Sequence, residues 1–180
     1  LLVFIVGDND PEADETFELF LAPGQQDWPD GSPRIVMTPG ALGTITIRDD
    51  DPIPAQIVPV EQTVIEGDPA TAGQAQLTIQ LLRASFSEVT VHWQTAAGTA
   101  IEGSDFTAAS GDAVFAVGET SKVITVAITG DTIVDRWPAD AETFSVSISP
   151  GSNNMAIANG LGVANISIQD DDSREIVVAD

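Results

Sequence analysis

Two short stretches carry the residues best placed to do chemistry. GLGVANISIQDDDSR spans residues 160–174 and GALGTITIRDDDP spans residues 40–52. Each is a small-residue turn, an alternating strand-like run and then three aspartates, Asp170-Asp171-Asp172 or Asp49-Asp50-Asp51. Adjacent carboxylates repel, raise one another's pKa and work against folding. The chemistry open to such a cluster is capture of a cation. The chain has no cysteine and a single histidine, so thiolate sites and disulfides are excluded and the acidic ligands are oxygens. Oxygen donors in loose arrangement suit Ca²⁺, which takes about 6–8 of them.

The composition supports a folded, cation-facing domain. The 180 residues carry net charge −22, with 28 acids against six Lys and Arg. Six basic residues cannot hold a phosphate backbone, so nucleic acid is not an expected partner. Hydrophobic residues make up 43% of the chain, enough for a core rather than an acidic disordered tail. No apolar run approaches the ~20 residues of a membrane-spanning helix, and membrane insertion is not expected.

The elements that must position the acids are strands. Seven segments, 56–65, 75–82, 89–95, 112–117, 121–129, 143–148 and 162–169, are rich in Val, Ile, Thr and Phe and are bounded by Gly, Pro, Asp and Ser. Val89, Val91 and Trp93 fall on one face and Thr90, His92 and Gln94 on the other. No stretch has a helical period. Seven strands in this span predict an all-β fold, an antiparallel immunoglobulin-like β-sandwich. If successive strands reverse, the first, third, fifth and seventh end at one pole. That pole then gathers Glu66 and Asp68, Glu102 and Asp105, the 130–142 loop with Asp131, Asp135, Asp140 and Glu142, and Asp170–Asp172. The opposite pole receives only Glu88 and Glu119.

The pattern also repeats. VGDNDPEADETFELFLAPG, residues 6–24, matches TGDTIVDRWPADAETFSVSISPG, residues 129–151, and the two aspartate triplets lie 121 residues apart. That spacing suits a sandwich domain and is too long for a solenoid. Residues 1–51 therefore read as the C-terminal part of one repeat, 52–54 as a short proline linker, and 55–172 as one complete seven-stranded repeat. Residues 173–180 read as the start of a following repeat or a tail. Leu1 is expected to open in mid-strand, as part of a longer chain.

GTAIEGSDF (98–106), GDTIVDRWPADAETF (130–144) and the strand-final DDD (170–172) resemble, in order and spacing, the Calx-β repeat. That repeat occurs in sodium–calcium exchangers, an integrin β subunit and large bacterial surface proteins. The resemblance implies Ca²⁺ bound by Glu66, Asp105, Asp131, Asp135, Glu142, Asp170, Asp171 and Asp172. In the partial repeat the matching positions are Asp8, Glu12, Glu15, Asp49, Asp50 and Asp51. Two departures from the exchanger type are visible: Arg136, Trp137 and Pro138 dilute the acidic loop, and Gly130 stands where that type has an acid.

Other signals are set aside. DNDPE at Asp8 lacks the EF-hand Gly at the sixth position (Ala13) and Glu at the twelfth (Leu19). His92 reads as a surface residue, Trp93 and Phe144 as core, and Asn165-Ile166-Ser167 as a silent sequon. The resulting expectation is a non-enzymatic calcium-binding structural module of a repetitive extracellular or cell-surface protein, bacterial in source. In it calcium stiffens the junctions between neighbouring repeats. The alternatives are a calcium-sensing regulatory domain of a membrane protein and an ancillary domain of a large secreted hydrolase. Residues 1–51, as three strands lacking an opposite sheet, are further expected to self-associate with another copy of the chain.

Overall fold

Period-two alternation becomes eleven strands among the residues that this computed structural model describes, which are 3–8, 12–20, 42–134 and 141–172. The strands are β1 (Glu15–Phe20), β2 (Leu42–Ile47), β3 (Ile53–Val58), β4 (Glu61–Ile65), β5 (Gln74–Leu81) and β6 (Val89–Ala97). They continue with β7 (Ser110–Phe115), β8 (Ser121–Ala127), β9 (Glu142–Pro150), β10 (Met155–Ile157) and β11 (Val163–Gln169). The chain divides into two compact units, Glu12–Asp50 and Leu1–Pro11 with Asp51–Asp180.

The larger unit is a β-sandwich. One sheet has the order β10-β3-β5-β8 and the other β4-β11-β9-β6-β7. Alternate residues turn inward and are buried: Ile57, Leu77, Ile79 and Val126 from the first sheet, Val91, Phe115, Val146 and Ile166 from the second. Burying each such side chain contributes roughly 1.5–3 kcal/mol, which is what holds the two sheets face to face. Trp93 is only half-buried and lies against its cross-strand partner Gly111, while His92 stands exposed with Asp112 Oδ1 2.6 Å from its Nδ1.

Several elements differ from the sequence reading. The predicted first segment is two strands in different sheets, β3 and β4. Pro59 has no N–H to continue a ladder, so the chain leaves one sheet there and enters the other. The Val58–Pro59 peptide is cis. β4 runs parallel to β11, and β10, inside what reads as a loop, runs parallel to β3, while the other pairs are antiparallel. Ile53 and Pro54, read as linker, already belong to β3, with Ile53 buried and its N–H donating to Asn154 O at 2.9 Å.

In the smaller unit β1 and β2 pair antiparallel from Glu15↔Ile47 to Phe20↔Leu42. Residues 3–8, expected to form a strand of that partial repeat, form none, and Phe4 is 81% exposed. The reason lies in the larger unit, where the equivalent strand β8 pairs with β5. Among the described residues of 1–51 none supplies a β5. The expected segment at 173–180 lies outside the described residues.

Phe106 and Phe144 stack with ring centroids 4.4 Å apart and planes 7° from parallel, and both are buried. Phe144→Ala is expected to lower the unfolding free energy of the larger unit by about 3–5 kcal/mol. Phe86→Ala, at an exposed side chain, should change it by less than about 0.5 kcal/mol. Urea unfolding of the two variants checks this.

Candidate metal centre

Strand direction decides which loops meet. β11 and β6 are both antiparallel to β9, so they run the same way, and β4 is parallel to β11. Their C-terminal ends therefore share a pole. β8 ends there too: Thr107 N–H donates to Ala127 O at 3.0 Å and Thr129 N–H to Asp105 O at 2.9 Å. The stacked Phe106 and Phe144 lie beneath this pole. They follow Asp105 and Glu142 closely in sequence, so the aromatic pair seats two of the acid-bearing segments.

The pole's backbone is closely joined. Glu66 N–H donates to Gln169 O at 2.9 Å, and Gly73 N–H donates to Glu66 O at 2.8 Å. Glu66 itself is a buried carboxylate, 4% exposed. Gly130 is buried against Gly67, and a Cβ at Gly130 would overlap the Gly67 carbonyl. An acid at position 130 is therefore sterically excluded in this chain, which accounts for the departure seen in sequence. Gly67 has a φ of +77°, a conformation that glycine adopts without cost.

Five carboxylates are electrostatically coupled here. The Asp172 carboxyl is held above the usual aspartate range by partial withdrawal from water, and then by the charges of Asp170, Asp171, Asp68 and Asp131. Three chain segments that are remote in sequence thus act on one side chain. Asp68 was not carried over by family resemblance, although strand parity places it at this pole.

Four of the pole's aspartates also hold a backbone amide. Asp171 Oδ1 accepts from Gly67 N–H at 2.9 Å, and Asp105 Oδ2 from Ile101 N–H at 2.6 Å. Asp131 Oδ1 accepts from Ile133 N–H at 2.6 Å, and Asp170 Oδ1 from Asp172 N–H at 2.7 Å. Among the described residues, no three acidic or histidine side chains are gathered closely enough to ligate one ion as they stand. The repelling carboxylates are spread onto separate amide donors. Glu142 sits opposite Ile168 in the β9–β11 ladder, two positions before Asp170. Asp135 lies outside the described residues.

The candidates in the partial repeat are divided. Glu12, Glu15, Asp49 and Asp50 belong to the smaller unit, whereas Asp8 and Asp51 belong to the larger. Within the smaller unit Glu12 N–H donates to Asp49 Oδ2 at 3.0 Å and Asp49 N–H to Asp14 Oδ1 at 3.3 Å. Asp14 was not singled out in sequence; only its contact with Asp49 reveals it.

A family model for the Calx-beta domain matches residues 49–172, a span that holds both aspartate triplets. Among solved structures, the fold is similar to the apo-form Calx CBD1 domain, at 24% identity and TM-score 0.58. The match covers 68% of this chain and 100% of that one. It is also similar to CBD12 from CALX1.2, at 22% identity and TM-score 0.59, over 67% of this chain and 46% of that one. CBD12 of CALX1.1, described as a calcium binding domain, has 22% identity and TM-score 0.58, over 67% of this chain and 47% of that one. No curated protein matches the sequence significantly.

Two outcomes follow for the apo protein. A carboxyl whose folded pKa is raised binds more protons folded than unfolded, so stability falls as pH rises from 3.8 through the raised value. In calcium-free buffer the stability difference between wild type and Asp172→Asn should decline across that window and then level off, as read from urea midpoints. Gly130→Ala and Gly130→Asp should each lose about 1–3 kcal/mol, the alanine variant isolating the overlap with Gly67 from the added charge.

Proposed function

This chain belongs to the Calx-beta domain family, and from that premise we propose that it is a non-enzymatic calcium-binding structural module. Its setting would be a repetitive extracellular or bacterial cell-surface protein, where calcium stiffens the junctions between successive repeats. Calx-beta domains bind calcium, and the acidic pole is where this chain would do so. The observation that carries the reading is the environment of Asp172. Partial withdrawal from water raises its pKa first, and the charges of four other carboxylates raise it further, a charge density that a cation relieves.

The donor chemistry fits calcium. The pole offers carboxylate oxygens, and the one histidine, His92, stands on the outward face of β6, opposite Asp112 in the β6–β7 ladder. Glu66, Asp105, Asp131, Glu142 and Asp170–Asp172 would hold the ion, joined by Asp68 and, from the family resemblance, Asp135. When bound, calcium supplies positive charge that offsets the repulsion among these groups. A carboxylate has about four lone-pair sites, so one that accepts an amide bond can keep it and still offer an oxygen. The amides of Gly67, Ile101 and Ile133 therefore hold Asp171, Asp105 and Asp131 in place without exhausting them. The structural role rests on sequence order: the strand-final Asp49–Asp51 run directly into Pro52-Ile53-Pro54, and two prolines in three residues make a stiff connection.

Calcium should raise the melting temperature of the larger unit relative to EGTA. At ~100 times the dissociation constant one site adds about 2.7 kcal/mol. Coincident melting curves with millimolar calcium and with EGTA would sink the proposal. Magnesium should do much less, because it requires a tighter octahedral site and dehydrates reluctantly. By calorimetric titration, Asp171→Asn and Glu142→Gln should weaken calcium binding about tenfold or more. Without calcium, Asp171→Asn should leave stability unchanged or higher, since Asn retains an oxygen for Gly67 N–H and loses a repelling charge. Glu88→Gln is the appropriate control at the far pole. Glu119 is not, because its carboxylate accepts from Ala116 N–H at 3.0 Å and pairs with Lys122 at 2.6 Å.

A further inference from the structure

The outer face of the five-stranded sheet carries a groove that the acidic pole does not use. It has a volume of about 500 Å³ and is lined by Glu61, Gln62 and Thr63 of β4 and by Asn165 and Ser167 of β11. The parallel ladder sets their arrangement, with Asn165 opposite Glu61 and Ser167 opposite Thr63. Period two turns these four side chains to one face, while the alternate Val64, Ala164 and Ile166 are buried in the core. Gln62 borders the groove between Glu61 and Thr63. Its Oε1 is buried and has no hydrogen-bond partner among the described residues. An unpaired buried acceptor is costly, so a donor arriving there is favoured. Glu61 and Asn165 each lie five residues before the pole's Glu66 and Asp170, roughly 16 Å along the strands.

The lining chemistry narrows the ligand class. Glu61 and the chain's net charge of −22 oppose an anion. A cation meets only one carboxylate here, and the amide N–H₂ groups of Gln62 and Asn165 oppose it. A neutral polyhydroxyl compound suits every member of the set. Its O–H groups donate to Glu61 and to Gln62 Oε1, its oxygens accept from Asn165 Nδ2, and the Thr63 and Ser167 hydroxyls serve either way. The same face offers apolar contact at each end. Val163 lies two residues before Asn165, Ile65 lies two after Thr63, and they are 47% and 48% exposed. The C–H faces of a sugar ring rest on such side chains while its hydroxyls reach the polar rows between them. The volume lies within the range of small-ligand sites, about 300–1,000 Å³.

We propose that the β4–β11 groove binds a neutral saccharide, with Glu61 and Asn165 reading neighbouring hydroxyls. Asn165 and Ser167, set aside in sequence as a silent sequon, act there as unmodified side chains. The site is independent of calcium and of the acidic pole.

The test titrates the ¹⁵N-labelled 180-residue chain with maltose, cellobiose, mannobiose and diacetylchitobiose at millimolar concentration, and with digalacturonic acid as an anionic counterpart. At least one neutral disaccharide should give saturable amide shifts concentrated at residues 61–63 and 165–167, alike in calcium and in EGTA. Digalacturonic acid should bind at least about tenfold more weakly, repelled by Glu61. Asn165→Ala should weaken binding about tenfold by removing a donor and an acceptor. Thr63→Ala should weaken it less, and Gln76→Ala, on the outer face of the other sheet, should leave it unchanged. All three positions are exposed, and melting curves verify that the variants fold. The proposal is overturned if no neutral disaccharide shifts those amides, if digalacturonic acid binds equally well, or if Asn165→Ala and Thr63→Ala both bind like the wild type. Shifts at the same residues on adding calcium without sugar would also overturn it, because the groove would then be a cation site.

Discussion

Repulsion among carboxylates at the ends of β4, β8 and β11 is the constraint around which the acidic pole is arranged. The sheet ladders oppose it. Each strand runs into its loop with its direction set by its ladder pairing and by a buried face, so the acids cannot drift apart without breaking register. What remains free is the orientation of each side chain. Asp171, Asp105, Asp131 and Asp170 use that freedom to turn toward separate backbone amides. At Asp172 partial withdrawal from water and then the neighbouring charges both raise the carboxyl's pKa, so the unrelieved part of the repulsion adds to desolvation there.

The apolar interior sets how rigid the pole is. Phe106 and Phe144 stack directly under it, one following the Asp105 turn and the other at the start of β9. The two loops they anchor are also joined by main-chain bonds, with Gly98 and Ala100 N–H both donating to Thr143 O. On the other side, Gly67 and Gly130 bring two loops to backbone contact. The Gly, Phe and Thr positions of the acidic motifs are thus structural, and they hold the carboxylates to a narrow region.

The two units share one pattern and differ in completeness. Register-for-register identity between β1–β2 and β9–β11 is a statement about hydrogen-bonded pairs, so it does not depend on loop length. The offset differs between the two strands, 127 residues from Glu15 to Glu142 and 121 from Ile47 to Ile168, because the intervening loops differ in length. Among the described residues β1 and β2 pair only with each other and Phe17 and Ile45 are half-buried, whereas Phe144 and Ile166, with strands on both sides, are fully buried.

Local patterning was sufficient for much of this. Alternation of Val, Ile and Phe located the strands of the larger unit to within a residue or two at most ends, because a half-buried strand needs period two and a helix does not. Strand parity then indicated one acidic pole, since reversal at each turn is a consequence of antiparallel pairing. Tertiary structure decided the rest. The split of the first strand at Pro59 depends on a second sheet being present to receive β4. β10 exists because β3 offers an edge to Met155–Ile157. Asp14 emerged only from its three-dimensional neighbour Asp49, and the action of Asp68 on Asp172, beyond its place at the pole, is likewise concealed by sequence distance. The exclusion of an acid at position 130 likewise depends on where Gly67 lies, a contact made by two loops 63 residues apart. Period and charge are properties of neighbouring residues and can be read along the chain, whereas steric exclusion and charge coupling are properties of space and appear only when the strands have paired.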